Sequence, residues 1–477
     1  AATVAVMAAG VAMAAGVATA ATAIVTATEI VDASAIAIRT VRAASRATVS
    51  QEHSLTTLGS GVRVVTETMP AVRSVAIGFW IGTGSRGESD EQAGLSHLLE
   101  HLLFKGSSRY GSLEIDQIFD GMGAELNAGT GKETTSVYAR VIDQHVPEAF
   151  DVMADMVFRP TLDDIDSERA VILEEIAMYE DDPQEKVFDV LGEAVFGDHP
   201  LGRAIIGRAP VIADTPASQI AAFHHSRYAP TNVVIAAAGA IEHDAIVELA
   251  AQHASEASGA DGAAPPAPTT PTDLHPRHRF ERKDTEQYHV CLGGPALSRH
   301  DERRFALRVL DTIFGGTSSS RLFQEIRERR GLAYSVYSFT SAYKDIGQVG
   351  LYVGTRADNV TEALSVVGTE LGRLREEPAT PDELNRAKEN LKGRVALSLE
   401  STGARMNRLG AEVLAGMPLL SLDETVERIE SVTIDDLVSL VDELWAPGRL
   451  SAAGIGPDRD RFEQALAAVE PTLVQSA

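Results

Sequence analysis

The chain is short of cysteine, aromatic residues and positive charge. One cysteine, Cys291, among 477 residues excludes any disulfide within the chain and any zinc site built from thiolates. It sits in the strand-like run 288–292 and reads as a small core residue, a usage that fits a reducing cytoplasm. Aromatic residues make up 5% and Trp only 2 residues, so aliphatic packing must supply the cores. Lys and Arg number 42 against 68 Asp and Glu, a net charge of −26. That balance argues against a nucleic-acid partner, since phosphate binding needs cations. It is compatible with cationic peptides as ligands, although most of the charge serves solubility. Beyond the N-terminal region no apolar run is long enough for a membrane helix.

What remains is a globular composition, 44% hydrophobic and 23% charged, with length for two domains. Residues 1–52 stand apart as an Ala, Val and Thr-rich extension with almost no aromatics. Its first 28 residues hold no Lys or Arg, so a secretory n-region is missing. Arg39, Arg42 and Arg46 among Ala and Ser are faintly transit-peptide-like. We read the segment as a disordered or non-native extension. Residues 255–276, dominated by Pro, Ala, Gly and Thr, form a linker.

The linker divides two halves that parallel one another. Residues 189–201 (DVLGEAVFGDHPL) match 407–419 (NRLGAEVLAGMPL), and 161–170 match 380–389. Residues 99–108 match 310–319 after one gap. Strand-like runs at 62–67, 73–81 and 231–238 alternate with helical stretches. The expectation is an α+β protein of two homologous domains, each a mainly antiparallel sheet with flanking helices. The domains are expected at 53–254 and 277–470.

The motif that carries chemistry is His97-Leu98-Leu99-Glu100-His101. At about 100° per residue, His97 and His101 share one helix face with Glu100 beside them. Leu95, Leu98, Leu99, Leu102 and Leu103 occupy the other. Two neutral imidazoles at i, i+4 suit one tetrahedral metal, and an unligated Glu beside them suits proton transfer from water. This is the HExxH arrangement in reverse order. The bland alternative is a polar helix surface. A third ligand must come from elsewhere. The best candidate is a helix over 161–182 between Pro160 and Pro183, carrying Glu168, Glu174 and Glu175. Glu168 and Glu175, seven apart, share a face, and Glu174 is turned away. Taken alone, a solvated acidic helix is the better reading of these residues.

Together these segments resemble the pitrilysin/insulinase (inverzincin) metallopeptidases, closest to mitochondrial processing peptidase β-subunits and their single-chain bacterial relatives. The resemblance covers about residues 55–460. It rests on GLSHLLEHLLFKGSS at 94–108, ELNAGTGKETTSVYARV at 125–141 and SERAVILEEIAMYEDDP at 167–183. HPLGRAIIG at 199–207 and SSSRLFQEIRERRGLAYSVYS at 318–338 add to it.

The resemblance implies a zinc endopeptidase with one zinc per chain, held by His97, His101 and Glu175. Glu100 is then the general base, and Glu168 supports a ligand histidine. Asn127, Ala128, Gly129 and Thr130 form the edge strand that binds substrate, with an ordinary hairpin as the alternative. Arg327 and Tyr334 would reach from the second half to the substrate carbonyl. Without the family, Arg327 reads as a helix-surface charge and Tyr334 as core. Glu185 and Asp189 match acids that recognise an arginine near the cut, or are plain helix-surface acids. The implied partners are a peptide or unfolded-protein substrate and a second copy of the chain, with no nucleic acid and no membrane. The implied location is a bacterial cytoplasm, with the mitochondrial matrix as the alternative.

In the second half, the positions of His97, Glu100 and His101 correspond to about Leu307, Leu310 and Asp311. Glu175 corresponds to Gly393 or Arg394, so that half lacks the metal set. A rival reading is a non-catalytic assembly subunit, as in the respiratory-complex core proteins of this superfamily. Such subunits have damaged metal motifs, whereas here the motif, the distal Glu and the Arg/Tyr pair are all present. A different metal-dependent hydrolase is a third reading, weakened by the peptide-binding strand.

Overall fold

The computed structural model describes residues 53–254 and 269–475. The N-terminal extension and most of the linker (255–268) lie outside the described residues.

The first half contains strands β1 (His53–Thr57), β2 (Arg63–Thr68), β3 (Ser74–Ile81), β4 (Glu125–Thr130), β5 (Thr135–Ile142) and β6 (Val233–Gly239). Its helices are α1 (Leu95–Leu102), α2 (Ser112–Met122), α3 (Val146–Phe158), α4 (Ile165–Asp181) and α5 (Pro183–Phe196). They continue with α6 (Ala209–Asp214), α7 (Ala217–Arg227) and α8 (His243–Ala254). The second half contains β7 (His278–Arg282), β8 (Gln287–Ala296), β9 (Ala333–Ala342), β10 (Gly347–Arg356) and β11 (Ser451–Gly456). Its helices are α9 (Arg304–Phe314), α10 (Val360–Glu376), α11 (Pro381–Ser398), α12 (Thr402–Ala415), α13 (Leu422–Glu430), α14 (Ile434–Leu444) and α15 (Arg459–Val469). A π-helical turn spans Phe323–Glu328.

The first sheet has the order β1-β2-β6-β3-β5-β4, and the second β7-β11-β8-β10-β9. Without β1, the two orders are the same topology. Each has one parallel pair, β2 with β6 and β7 with β11, and is otherwise antiparallel. Helices match as well: α1, α4 and α5 occupy the chain positions of α9, α11 and α12. The expected α+β duplication is therefore present at the level of every strand except β1. Both β4 and β9 are outermost in their sheets.

One feature was not expected. The matching helices α5 and α12 each cover the sheet of the opposite half. Val187, Leu191 and Val195 of α5 pack with Cys291, Tyr352 and Ala453 of the second sheet. Met406, Leu409 and Val413 of α12 pack with Val65, Ala76 and Val234 of the first. The opposite face of the first sheet, with Val64, Ile77 and Phe79, packs on α1 and α3. Period-2 alternation thus feeds two cores, which is why β6 (VVIAAAG) is buried throughout. Helix α12 approaches the sheet closely: a Cβ on its Gly410 would sit 2.2 Å from the Trp80 indole of β3. Cys291 is fully buried in this shared layer, as its strand context implies.

Two polar ties reinforce the exchange. Buried Glu67 of β2 accepts hydrogen bonds from Arg405 and Arg408 of α12. Glu133, in the β4–β5 turn, accepts from Arg86, Arg299 and the Lys344 amide of the β9–β10 turn.

Candidate metal centre

Helix α1 starts at Gly94, whose φ of 102° lies in the left-handed region that favours glycine. No side chain at Gly94 can cap the helix, so Glu88 does it from outside. Its buried carboxylate accepts from the Gly94 amide at 2.8 Å and the Ser96 amide at 2.7 Å. Arg203, from the HPLGR segment, donates to the Ser85 and Glu88 carbonyls and holds the capping loop. Leu95, Leu98, Leu99 and Leu102 are sealed in the first core. The apolar face of α1 is thereby fixed, and His97 and His101 project from the other side.

They meet α4. This helix is shorter at its start than the 161–182 expected, because Leu162 and Asp164 take positive φ and delay it to Ile165. Its end is where Pro183 demands, and Pro183 then opens α5. Glu175 Oε2 lies 3.8 Å from His97 Nε2 and 3.6 Å from His101 Nε2. The donor atoms of the three residues all lie within 4.8 Å of one another. Zinc bonds of about 2.0–2.1 Å in a tetrahedron imply donor separations of about 3.3 Å, so the set fits a metal with small movements. Burial, then the nearby His101, lowers the His97 pKa to about 3, which keeps that imidazole neutral and its lone pair free. Burial raises the Glu175 pKa, and His101 opposes the rise.

Glu168 resolves the ambiguity of the acidic helix. Its side chain is 6% exposed, 3.3 Å from His101 Nδ1, and bound to Lys105 Nζ at 2.8 Å. Through Nδ1 it sets the tautomer that leaves Nε2 to face Glu175. Glu174 is exposed, as its turn on the helix implies. Lys105 was not singled out from sequence, although it stands one turn beyond His101.

Glu100 faces β4. Its Oε2 accepts from Thr130 Oγ1 at 2.6 Å. Burial raises its pKa, opposed by the Thr130 bond. Asn127, Ala128, Gly129 and Thr130 form the outer part of β4, which pairs only with β5 among the described strands. A Cβ at Gly129 would meet nothing, so the strand edge is open there. The edge strand and the HxxEH helix are thus joined through Thr130 and Glu100.

Glu185 and Asp189 stand on α5. Asp189 accepts from Tyr179 Oη at 2.9 Å, and the same hydroxyl donates to the Glu185 carbonyl at 3.1 Å. Burial raises the pKa of both carboxyls. The charge nearest to Asp189 includes Lys132, whose ammonium donates to the Arg203 carbonyl.

Arg327 and Tyr334 form a pair of their own. The Arg327 guanidinium lies 4.6 Å from the Tyr334 ring centroid and 4.7 Å from that of Phe323. Tyr334 is 79% exposed at the start of β9, so the core reading of this residue is wrong. Neither residue makes a hydrogen bond or ion pair with α1, α4 or β4 among the described residues.

Residues 63–209 match the family described as insulinase (peptidase family M16), and residues 216–391 the one described as the peptidase M16 inactive domain. An uncharacterized zinc protease of Streptomyces coelicolor is 42% identical over 88% of this chain and 94% of its own. One from Bacillus subtilis is 41% identical over 82% of this chain and 95% of its own. The chain belongs to peptidase family M16. Its fold is shared with solved M16 structures at lower identity. A peptidase M16 inactive domain from Pseudomonas fluorescens superposes with a TM-score of 0.80 at 23% identity, covering 85% of this chain and 98% of the other. A protease from Helicobacter pylori gives 0.81 at 23% identity, covering 85% and 100%. The M16 profile covers all of α1 and α4, and the inactive-domain profile includes α9. No described helix is long and apolar enough to cross a membrane.

Proposed function

We propose that this M16 protein is a zinc-dependent endopeptidase that cleaves extended peptides or unfolded polypeptide segments. The observation that carries the reading is the convergence of His97, His101 and Glu175 beside a buried, unligated Glu100 that is hydrogen-bonded to an open sheet edge. His97, His101 and Glu175 hold one zinc per chain. Zinc in that site supplies Lewis acidity toward water and toward a peptide carbonyl. Glu168 orients His101, with its own second oxygen neutralised by Lys105. Substrate adds as a strand along Asn127–Thr130, where main-chain bonds fix it with little regard to sequence. Glu100 takes a proton from water at its carboxylate and returns it to the leaving amine. Thr130 keeps that carboxylate turned toward the strand. Arg327, stacked on Tyr334, provides a cation for the developing negative charge once the second-half wall approaches substrate.

Glu185 and Asp189, two carboxyls burdened by burial, form a subsite for an arginine side chain of the substrate. A cut-site profile on a peptide library should show arginine enriched at one position near the cleaved bond. Indifference to arginine would remove this assignment. The working form is a homodimer, placed in the cytoplasm.

The mechanism is tested by Glu100→Gln. Elemental analysis should find about one zinc per chain in both proteins, while peptide cleavage falls at least about 100-fold in the variant. Full cleavage by the variant, or a wild-type protein without zinc, would sink the reading.

A further inference from the structure

The two grooves that duplication created have opposite charge. In the first half, the groove between α1 and α4 holds two histidines and two buried-side glutamates. In the second, α9 and α11 form the matching groove. Leu307 and Leu310, at the positions of His97 and Glu100, are buried in the second core. Asp311, at the position of His101, is bound to Ser338 of β9 at 2.6 Å. That contact is the counterpart of Glu100 with Thr130 of β4. Arg394, one of the two candidates for the position of Glu175, is close enough for its charge to act on both Asp311 and Arg308.

Three arginines follow this groove. Arg308 lies one turn before Thr312 on α9. Arg386 and Arg394, with Asn390 between them, repeat every four residues along one face of α11. None of the three guanidinium groups has an ion pair or hydrogen bond among the described residues. All three are exposed to solvent. Neighbouring arginines are fully engaged: Arg321 with both oxygens of Glu383, and Arg303 with Asp301 and Glu443. At one end the groove opens into a small cavity of about 40 Å³, lined by Thr312, Thr317, Ser319, Glu383, Arg386 and Asn390. Arg386 and Asn390 offer donors there, whereas Thr312 and Thr317 already donate to the Arg308 and Thr312 carbonyls. Glu383, also in the wall, is already neutralised by Arg321.

We propose that the α9/α11 groove of the second half is a binding site for a carboxylate of a peptide, its free C-terminus or an acidic side chain. A metal-holding groove has become an anion-holding one by exchange of its charged residues on an unchanged scaffold. A monoanion suits it better than a phosphate. Asp311 and Glu412 lie near Arg308 and Arg394, and their field penalises a second negative charge. The Arg386 guanidinium and the Asn390 amide, one turn apart on α11, match the two oxygens of a carboxylate. That the peptide is a substrate rests on the peptidase reading above. The site itself does not.

The test uses the full chain treated with a chelator, so that no cleavage occurs. Fluorescence anisotropy would compare a short N-terminally labelled peptide of Ala, Ser and Thr ending in a free carboxylate with the same peptide amidated. The free acid should bind about tenfold tighter, a difference of about 1.4 kcal/mol. The R386Q/R394Q variant should bind both forms alike, and R308Q alone should shrink the difference. Equal affinity for acid and amide in the wild type, or a preference that survives R386Q/R394Q, would overturn the proposal. So would displacement of the peptide by inorganic phosphate at lower concentration than by acetate, which assigns the site to phosphate. A chain that proves not to be a peptidase would still show the acid–amide difference.

Discussion

Glu168 and Glu174 share one acidic helix and have opposite fates. Glu168 is turned inward to His101 and Lys105, and Glu174 outward to water. A carboxylate that fixes the orientation of a ligand imidazole commonly contributes 10–100-fold in metal affinity. Glu168→Gln should therefore lower zinc affinity by about that factor, read by chelator competition. Glu174→Gln should leave it as in the wild type. Equal effects would mean that only the total charge of α4 matters. Thr130 carries a similar lesson. A sequence places it on a substrate strand for its backbone, yet its hydroxyl is what holds Glu100.

Helix α11 shows how an element is anchored by charge. Thr380 caps it, accepting from the Glu383 amide, and Glu383 returns a bond to the Thr380 amide. Glu383 also receives both branches of Arg321 at 2.9 Å. The Arg321 bonds, against a burial penalty, bring the Glu383 pKa down to about 2. A folded-state pKa below the unfolded value of about 4.3 adds stability that is complete above that value. It is lost as pH falls through about 2. Glu383→Gln should cost about 1–3 kcal/mol in urea unfolding at pH 7. The gap between wild type and variant should narrow steadily below about pH 4.3. A gap independent of pH would show that the bonds, not the charge, carry the effect.

At the scale of the molecule, the exchange of α5 and α12 decides cohesion. Each half lacks cover for one sheet face unless the other supplies its helix. The linker then has little mechanical role. With a protease site inserted between Ala260 and Asp261, cutting should leave both fragments in one particle. Size exclusion with light scattering should give the same mass, that of two chains, before and after the cut. Fragments that separate without denaturant would contradict the exchange, and a mass of one chain would contradict the homodimer. The exchange also places Trp80 against Gly410, so the repeated glycine of α12 is a packing requirement rather than a hinge.

The sequence by itself determined the HxxEH helix, the duplicated α+β plan, the stop at Pro183 and the family. These are local or repetitive signals: helical spacing, a missing N–H, self-similarity. The convergence of His97, His101 and Glu175 was reachable only with the resemblance, because Glu175 is far from the histidines in the chain and an acidic helix looks the same whether wet or buried. Tertiary structure alone decided the rest. Which face of α4 turns inward, which helix covers which sheet, the cap that Glu88 gives to α1, and the exposure of Tyr334 depend on contacts between distant segments. So does the free arginine groove on α9 and α11. Hydrophobic pattern says that a face must be buried, and only the packed chain says against what.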